Sequence, residues 1–160
     1  MIRSAIQEDI PRLLNIYEYY IRNTAVTFDN EVPSEEGFLQ MFRRTAEHYP
    51  YLVYEEDGEI LGYAYAGQFI GRAAYAHSAE VTIYLDPGER GRGLGRQLYE
   101  TLEEALRRQG IRNLYACIGD PIGEDPYLTR ASELFHARMG YVKVGTFHRC
   151  GYKFGRFYNM

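Results

Sequence analysis

The segment Glu80–Gln109 constrains the fold more than any other part of the chain. Apolar and polar residues alternate over Glu80–Leu85, which predicts a strand with one buried face. A turn rich in glycine and arginine follows. Leucines then recur at helical spacing, which predicts an amphipathic helix over Leu94–Gln109 that ends at Gly110. This order of strand, glycine-rich turn and helix indicates a domain in which helices pack against a sheet.

The other elements follow from the same two hydrophobic periodicities. Further helices are predicted over Asp9–Asn23, from the N-cap Ser34 to about Glu47, and over Leu128–Met139. Further strands are predicted over Met1–Ile6, Tyr51–Glu55, Ile60–Phe69, Asn113–Ile118, Tyr141–His148 and Tyr152–Tyr158. Asp57-Gly58 is typical of a hairpin turn. The order βααβββαβαββ predicts one mixed α/β domain over residues 1–160.

Composition excludes several classes of function. The net charge of −4 argues against a nucleic-acid partner, because phosphate binding needs a basic surface. No apolar run approaches the roughly 18 residues of a membrane span, and no signal peptide is recognised, so we expect a cytoplasmic protein without membrane contact. The four histidines show no metal-ligand spacing, so no metal is expected. Cys117 and Cys150 are expected to be buried, reduced thiols.

The turn between the strand and the helix has the features of an anion site. Three glycines at alternate positions allow a backbone to approach a ligand closely. The first N–H groups of the following helix have no acceptor within it and carry partial positive charge. Arg90, Arg92 and Arg96 cluster at this positive end, where a cation is disfavoured unless a polyanion binds. A solvated turn with surface arginines remains the alternative.

The same turn resembles a known cofactor loop. The P-loop pattern GxxxxGK[ST] and the dinucleotide pattern GxGxxG are both absent. Arg90, Gly93 and Gly95 match the pattern Q/R-x-x-G-x-G/A, the pyrophosphate loop of GNAT acetyltransferases. The resemblance covers nearly the whole chain and is to the branch that acetylates phosphinothricin, methionine sulfone and methionine sulfoximine. Its other matching pieces are Thr27-Phe28, Arg72 with Tyr75, Glu80–Leu85, Ser132 with His136, and Lys153–Phe157.

The resemblance implies both a fold and a co-substrate. The implied fold is a mixed, mostly antiparallel sheet that splays apart at the acetyl-CoA site and is flanked by about four helices. Acetyl-CoA is the implied co-substrate, and homodimers built through the C-terminal strands are common among relatives. The residues implied to hold acetyl-CoA are Ile83, Tyr84, Leu85, Arg90, Gly91, Arg92, Gly93, Leu94, Gly95, Arg96, Thr129 and Ser132. Thr129 stands where the family usually has an asparagine that contacts the pantetheine.

The implied catalytic residues are Glu80 and His136. Glu80 matches the glutamate that takes a proton from the substrate ammonium, a step that is needed because only a neutral amine attacks a thioester. An ion pair with Arg72, or a cap at the strand edge, is the alternative role for this carboxylate. His136 stands where many relatives have a tyrosine that protonates the leaving thiolate, and it would donate that proton or hold CoA. An ordinary buried or surface histidine is the alternative.

The implied acceptor site contains Phe28, Arg72 and Tyr75, and an arginine there suits a carboxylate or phosphinate. The leading prediction is transfer of acetyl to the amine of a small amino-acid-like molecule. A polyamine, an antibiotic or a protein N-terminus is the alternative acceptor, and the acidic residues Glu124 and Asp125 suit a cation. An acyl-CoA-binding module without catalysis is the third possibility.

Overall fold

The computed structural model describes residues 1–160, which pack as two compact units. The first unit contains Met1–Tyr17 and Pro33–Ala116, and the second contains Glu18–Val32 and Cys117–Met160. The mixed α/β class predicted from the sequence is confirmed, because four helices accompany a five-stranded sheet and a two-stranded hairpin.

The sheet of the first unit contains five strands in chain order. They are β1 (Ile2–Ser4), β2 (Tyr51–Glu56), β3 (Glu59–Gln68), β4 (Ser78–Leu85) and β5 (Asn113–Tyr115). Strands β1 to β4 pair with one another in antiparallel fashion. Strand β5 runs parallel to β4. The hairpin between β2 and β3 turns at Asp57 and Gly58, which both have positive φ, as a tight two-residue turn requires.

The sheet splays apart along β4, as predicted. Pairing between β4 and β5 runs from Ser78 opposite Asn113 to Glu80 opposite Tyr115 and then ends. Strand β4 nevertheless continues to Leu85 and stays paired with β3 along its whole length. The last five residues of β4 therefore lie beyond the end of β5, on the side where the two strands separate.

Three helices contribute to the first unit. They are α1 (Ile10–Asn23), whose residues up to Tyr17 belong to this unit, α2 (Glu35–Ala46) and α3 (Leu94–Arg108). Ser34 caps α2, because its hydroxyl accepts a hydrogen bond from the Gly37 N–H at 3.1 Å. Helix α3 packs on β2, β3 and β4, and its leucines at positions 98, 102 and 106 are at most 1% exposed.

Aromatic rings cover one face of this sheet. Tyr63 and Tyr65 of β3 share the face of Glu80 and Tyr84 of β4, because directly paired strand residues point the same way. Helices α1 and α2 lie over this face: the Tyr17 ring is 5.0 Å from that of Tyr84, and the Phe42 ring is 5.0 Å from that of Tyr51. Glu80 is thus on the face that the first two helices cover.

The second unit contains little regular structure. Helix α4 covers Ala131–Arg138, and strands β6 (Gly151–Lys153) and β7 (Arg156–Tyr158) form an antiparallel hairpin. Its apolar core contains Ala25, Leu128 and Tyr158, with Val26 and Phe28 packed against them. The Tyr158 hydroxyl donates to Asp125, which also pairs with Arg156 at 2.9 Å.

Several predictions for the second unit are wrong. Tyr141–His148 is not a strand: the only residue of this segment that pairs with another part of the chain through both backbone groups is Phe147, with Met160. The predicted strand Tyr152–Tyr158 is a hairpin, because Phe154 and Gly155 have φ values of 51° and 73° and reverse the chain.

Other bounds are narrower than predicted. Helix α4 begins at Ala131 rather than at Leu128, whose side chain joins the core of the second unit, and β5 ends at Tyr115 rather than at Ile118. The two cysteines, at positions 117 and 150, are exposed and form no disulfide, so the prediction of buried thiols is wrong. Cys117 lies two residues after the end of β5, and Cys150 lies directly before β6. In such irregular segments the backbone does not direct side chains into an apolar core.

Candidate active site

The turn before α3 is an open cradle of backbone amides. Gly91 and Gly93 have φ values of 80° and 79°, which favour glycine over any residue with a side chain. A Cβ atom at either position would meet no other atom within 4 Å, so free space lies beside both. Gly93 is also the N-cap of α3. It offers no capping side chain, so the amides of Leu94–Arg96 point outward without an acceptor in the helix.

The arginines of this turn differ in their partners. Arg92 pairs with Glu56 at 2.6 Å and with Glu89, and these carboxylates raise its pKa. Arg96 pairs with Glu100 at 2.7 Å. Of the three arginines, therefore, only Arg90 is uncompensated: it is exposed and has no acidic partner.

The residues of β4 next to this turn are held by β3. Ile83, Tyr84 and Leu85 pair with Ala64, Tyr63 and Gly62, respectively, beyond the end of β5. The Tyr84 ring contacts those of Tyr17 and Tyr63, at centroid distances of 5.0 and 5.6 Å. These contacts fix the strand that leads into the cradle.

Glu80 lies at the last position where β4 pairs on both sides. Its direct neighbours are Gly67 on β3 and Tyr115 on β5, so their Cβ positions share its face of the sheet. The side chain is half-buried and makes no ion pair or hydrogen bond. In particular it does not pair with Arg72, so the ion pair considered for this carboxylate is not observed.

Aromatic residues stand beside Glu80. The ring of Tyr115 stacks on that of Phe69, with centroids 4.1 Å apart, and Tyr75 meets Phe69 edge-on at 6.1 Å. Sequence analysis identified Tyr75 but missed Phe69 and Tyr115. Tyr115 is recognisable only once the parallel pairing of β4 with β5 is known, because 35 residues separate it from Glu80.

Arg72 stands between β3 and β4, just before the short helical turn Ala73–Tyr75. Its side chain is exposed, and no acidic side chain pairs with it. Arg72 therefore forms no surface ion pair. An exposed guanidinium without an acidic partner can bind a carboxylate through two parallel hydrogen bonds.

His136 is buried in the second unit, with 4% of its surface exposed. Its Nδ1 lies 2.7 Å from the carbonyl oxygen of Ser132. A carbonyl only accepts, so Nδ1 carries a proton and Nε2 carries none while the ring is neutral. Burial lowers the pKa of His136, and the hydrogen bond to Ser132 opposes that shift only in part. The Tyr141 ring meets the imidazole edge-on at 5.3 Å.

Two other predicted residues of this unit have local roles. The Thr129 hydroxyl accepts from the N–H of Ala131, the first residue of α4, at 3.3 Å. Phe28 packs against Tyr158, with ring centroids 6.1 Å apart, and a Cβ added to Gly151 would lie 2.6 Å from its ring. Phe28 therefore packs tightly within this unit.

Comparison with known proteins agrees with this geometry. The family model described as the acetyltransferase (GNAT) domain matches residues 2–160. The chain is 36% identical over 163 residues to phosphinothricin N-acetyltransferase of Streptomyces coelicolor, covering 99% of this chain and 91% of that protein. It is 33% identical over 162 residues to an L-methionine sulfoximine/L-methionine sulfone acetyltransferase of Pseudomonas aeruginosa, with 99% and 90% covered.

A solved structure gives the same result. The phosphinothricin acetyltransferase of Sinorhizobium meliloti in complex with acetyl-CoA has a TM-score of 0.89 and 32% identity, covering 99% of this chain and 83% of that one. The chain belongs to the GNAT family of acetyltransferases. It is an acetyl-CoA-dependent N-acetyltransferase that is similar to the phosphinothricin and methionine sulfoximine enzymes.

The residues of the cradle fit the diphosphate of this co-substrate, because two side-chain-free positions and outward amides leave room for phosphate oxygens. No group of three or more histidine, cysteine or acidic side chains is placed to hold a metal ion. None of the helices has the length and apolar character that crossing a bilayer requires.

Proposed function

We propose that the protein transfers the acetyl group of acetyl-CoA to the primary amine of a small amino-acid-like acceptor, with Glu80 as the general base. One observation carries the proposal: Glu80 is half-buried, has no cation paired with it, and stands beside free space at Gly67. The named relatives act on phosphinothricin and on methionine sulfoximine or sulfone, which are small amino-acid-like amines.

Acetyl-CoA supplies an activated thioester, which only an amine without its extra proton attacks. The acceptor arrives at neutral pH as an ammonium ion, so a base must remove one proton. An unpaired carboxylate can accept it directly or through a water molecule. An ion pair with an arginine would stabilise the carboxylate and weaken it as a base, and Glu80 has none.

The remaining roles follow the family assignments. The cradle from Arg90 to Arg96 would hold the diphosphate, with Arg90 as the cation that is free to pair with it. The backbone of Ile83–Leu85 would hold the pantetheine, and one of its N–H groups would polarise the thioester carbonyl. Thr129 and Ser132 would contact CoA, as the family resemblance implies.

His136 would hold CoA or return a proton to its thiolate. In the neutral ring the proton is on Nδ1 and engaged with Ser132, so Nε2 has a proton to give only in the imidazolium form. Because burial lowers the pKa of His136, that form is disfavoured at neutral pH. Holding CoA is therefore the role that the geometry supports better.

The acceptor would be recognised through its acidic group. Arg72 is an exposed cation without an acidic partner, and Tyr75 belongs to the short helical turn that Arg72 precedes. A polyamine acceptor has weaker support, because Asp125, one of the two acidic residues expected to attract it, already pairs with Arg156 at 2.9 Å. Glu124 is exposed and forms no ion pair.

Replacement of Glu80 by Gln tests the proposal. We expect kcat with L-methionine sulfone to fall by about 100-fold or more at pH 7, because general-base catalysis contributes on this scale. Activity should recover as pH rises and the amine loses its proton without help. Affinity for acetyl-CoA, measured by calorimetry, should be unchanged. Glu59→Gln, an exposed glutamate of the β3 start, is the matched control.

An activity of Glu80→Gln equal to that of the wild type at every pH would contradict the base assignment. Release of free thiol with spermine but not with methionine sulfone would favour the polyamine alternative. Tight acetyl-CoA binding without turnover of any amine would identify a binding module instead.

Homodimer formation is also proposed, because the second unit exposes apolar side chains that a monomer has no reason to leave in water. Val142 and Val144 are 81% and 85% exposed, and Phe147 and Tyr152 are 68% and 58% exposed. One chain has a mass of 18.6 kDa, and light scattering after gel filtration should give twice this mass.

A cytoplasmic location stays a prediction.

A further inference from the structure

Gly67 leaves a gap at the position directly opposite Glu80. The two residues are paired in the antiparallel β3–β4 ladder, so a side chain at position 67 would stand on the face of the Glu80 carboxylate. Directly opposed Cβ atoms in such a ladder are about 4.5–5.5 Å apart. A Cβ built on Gly67 meets no atom within 4 Å. The face of the sheet beside the carboxylate is therefore open at this one position.

Aromatic rings lie on both sides of the gap along the strands. Tyr65 is two residues earlier on the same face of β3, and its ring stacks on that of Tyr51 at 4.6 Å. On the other side, the Phe69 and Tyr115 rings stack at 4.1 Å, and Tyr115 is the direct neighbour of Glu80 on β5. Aromatic surfaces of this kind accept methylene groups and attract an ammonium ion.

We propose that Gly67 determines acceptor specificity, because its missing side chain leaves room for the carbon that bears the amine and for the substituents on that carbon. The inference rests on the proposed function of Glu80, which places the amine beside this carboxylate. It also refines the acceptor class. A carbon with both a carboxylate and a side chain, as in an α-amino acid, needs this space, whereas an unsubstituted methylene does not.

Substitution of Gly67 is structurally mild and so isolates this role. The residue lies inside a regular strand, where valine has a high propensity, and an added Cβ clashes with nothing. Gly62 of the same strand is different, because a Cβ there would lie 2.5 Å from the Leu85 side chain. A loss of function in Gly67→Val therefore reports the filled gap rather than a damaged sheet.

The experiment measures kcat/KM of wild type, Gly67→Ala and Gly67→Val with α-amino acids of increasing side-chain size, from glycine to L-methionine sulfone. We expect Gly67→Val to lose about tenfold or more with methionine sulfone, and less with glycine, since one misplaced methylene in a pocket has an effect of this order. Gly67→Ala should lie between wild type and Gly67→Val. The KM for acetyl-CoA and the thermal melting temperature should stay at wild-type values.

Gln68→Val is the matched control, because it places the same side chain one residue further along β3, on the opposite face and exposed. It should behave as wild type with every acceptor. Equal acceptor parameters for Gly67→Val and wild type would overturn the role of Gly67 while leaving Glu80 untouched. A wild-type protein that acetylates none of these acceptors would instead overturn the proposed function itself.

Discussion

The two units bury different kinds of side chain. In the first unit the most buried residues are apolar or aromatic, such as Leu98, Leu102 and Tyr63, all at most 1% exposed. In the second unit Lys153 and His136 are only 3% and 4% exposed, whereas valines and a phenylalanine stand in solvent. Both units thus have apolar cores, but the second also buries a lysine and a histidine, whose polar atoms need partners within the unit.

The Lys153 ammonium shows what such a contact does. It donates to the carbonyl oxygen of Thr27 at 2.8 Å, which joins the β6–β7 hairpin to the loop that carries Phe28. The two residues are 126 positions apart in the sequence. No periodic pattern encodes this bond, because a buried lysine is recognised only by the groups that surround it. Three predictions test the contrast between the units.

The largest effect is expected for Leu102→Ala in α3. Leu102 is fully buried against the sheet, and its truncation removes apolar contacts and leaves a cavity. We expect a loss of about 2–5 kcal/mol in the free energy of unfolding, measured by urea denaturation. Thr101→Ala, exposed on the same helix, should change it by less than about 0.5 kcal/mol. Similar losses for both variants would mean that apolar packing of α3 does not hold the first unit together.

Gly93→Val should lower the free energy of unfolding by less than Leu102→Ala does, and it should separately weaken acetyl-CoA binding. A side chain at φ 79° is strained by about 1–2 kcal/mol, and it also fills the space that the diphosphate needs. The Kd for acetyl-CoA, measured by calorimetry, should rise by about tenfold or more, which corresponds to about 1.4 kcal/mol. Gly110→Val is the matched control, since Gly110 has φ 86° just after the other end of α3.

Gly110→Val should lose stability by a similar amount and bind acetyl-CoA as the wild type does. If both glycine variants bound acetyl-CoA equally well, the cradle would not hold the diphosphate. If Gly110→Val weakened binding as much as Gly93→Val, the effect would come from general damage to α3 rather than from the filled space.

Sequence patterns predicted the first unit well for a physical reason. Both α3 and β4 are long enough to show a clear period, and their apolar faces are buried within the unit itself. The Asp57-Gly58 turn was also predictable, because few dipeptides accept two positive φ angles. Pairing between β4 and β5 was not, because parallel neighbours are joined by a long crossover that leaves no register signal in the sequence.

Patterns failed in the second unit because alternation alone does not make a strand. Tyr141–His148 alternates, yet its valines at 142 and 144 lie in solvent and its backbone has almost no ladder partner. Of the candidate site, the cradle and Glu80 were predictable from motif and position. Gly67 and Tyr115 were not, because they join the site only through strand register.

The smallest effect is expected for Lys153→Met, and it should depend on pH. Burial lowers the pKa of Lys153 below the usual value of 10.5, and Asp29 opposes this shift only in part. Between the lowered pKa and 10.5, the unfolded chain holds more protons than the folded one, so wild-type stability rises with pH in this window. The penalty of the buried charge is complete below the lowered pKa and disappears as pH approaches 10.5.

Lys153→Met should lack this rise, because methionine carries no titrating group. The difference in unfolding free energy between wild type and Lys153→Met, measured in urea from pH 7 to pH 10.5, should therefore be constant below the lowered pKa of Lys153 and shift in favour of the wild type above it. Lys143→Met is the control, since Lys143 is exposed and pairs with Glu133 at 3.5 Å. A flat difference for Lys153→Met would mean that its ammonium is as well solvated in the folded chain as in the unfolded one. A buried charge would then not distinguish the second unit from the first.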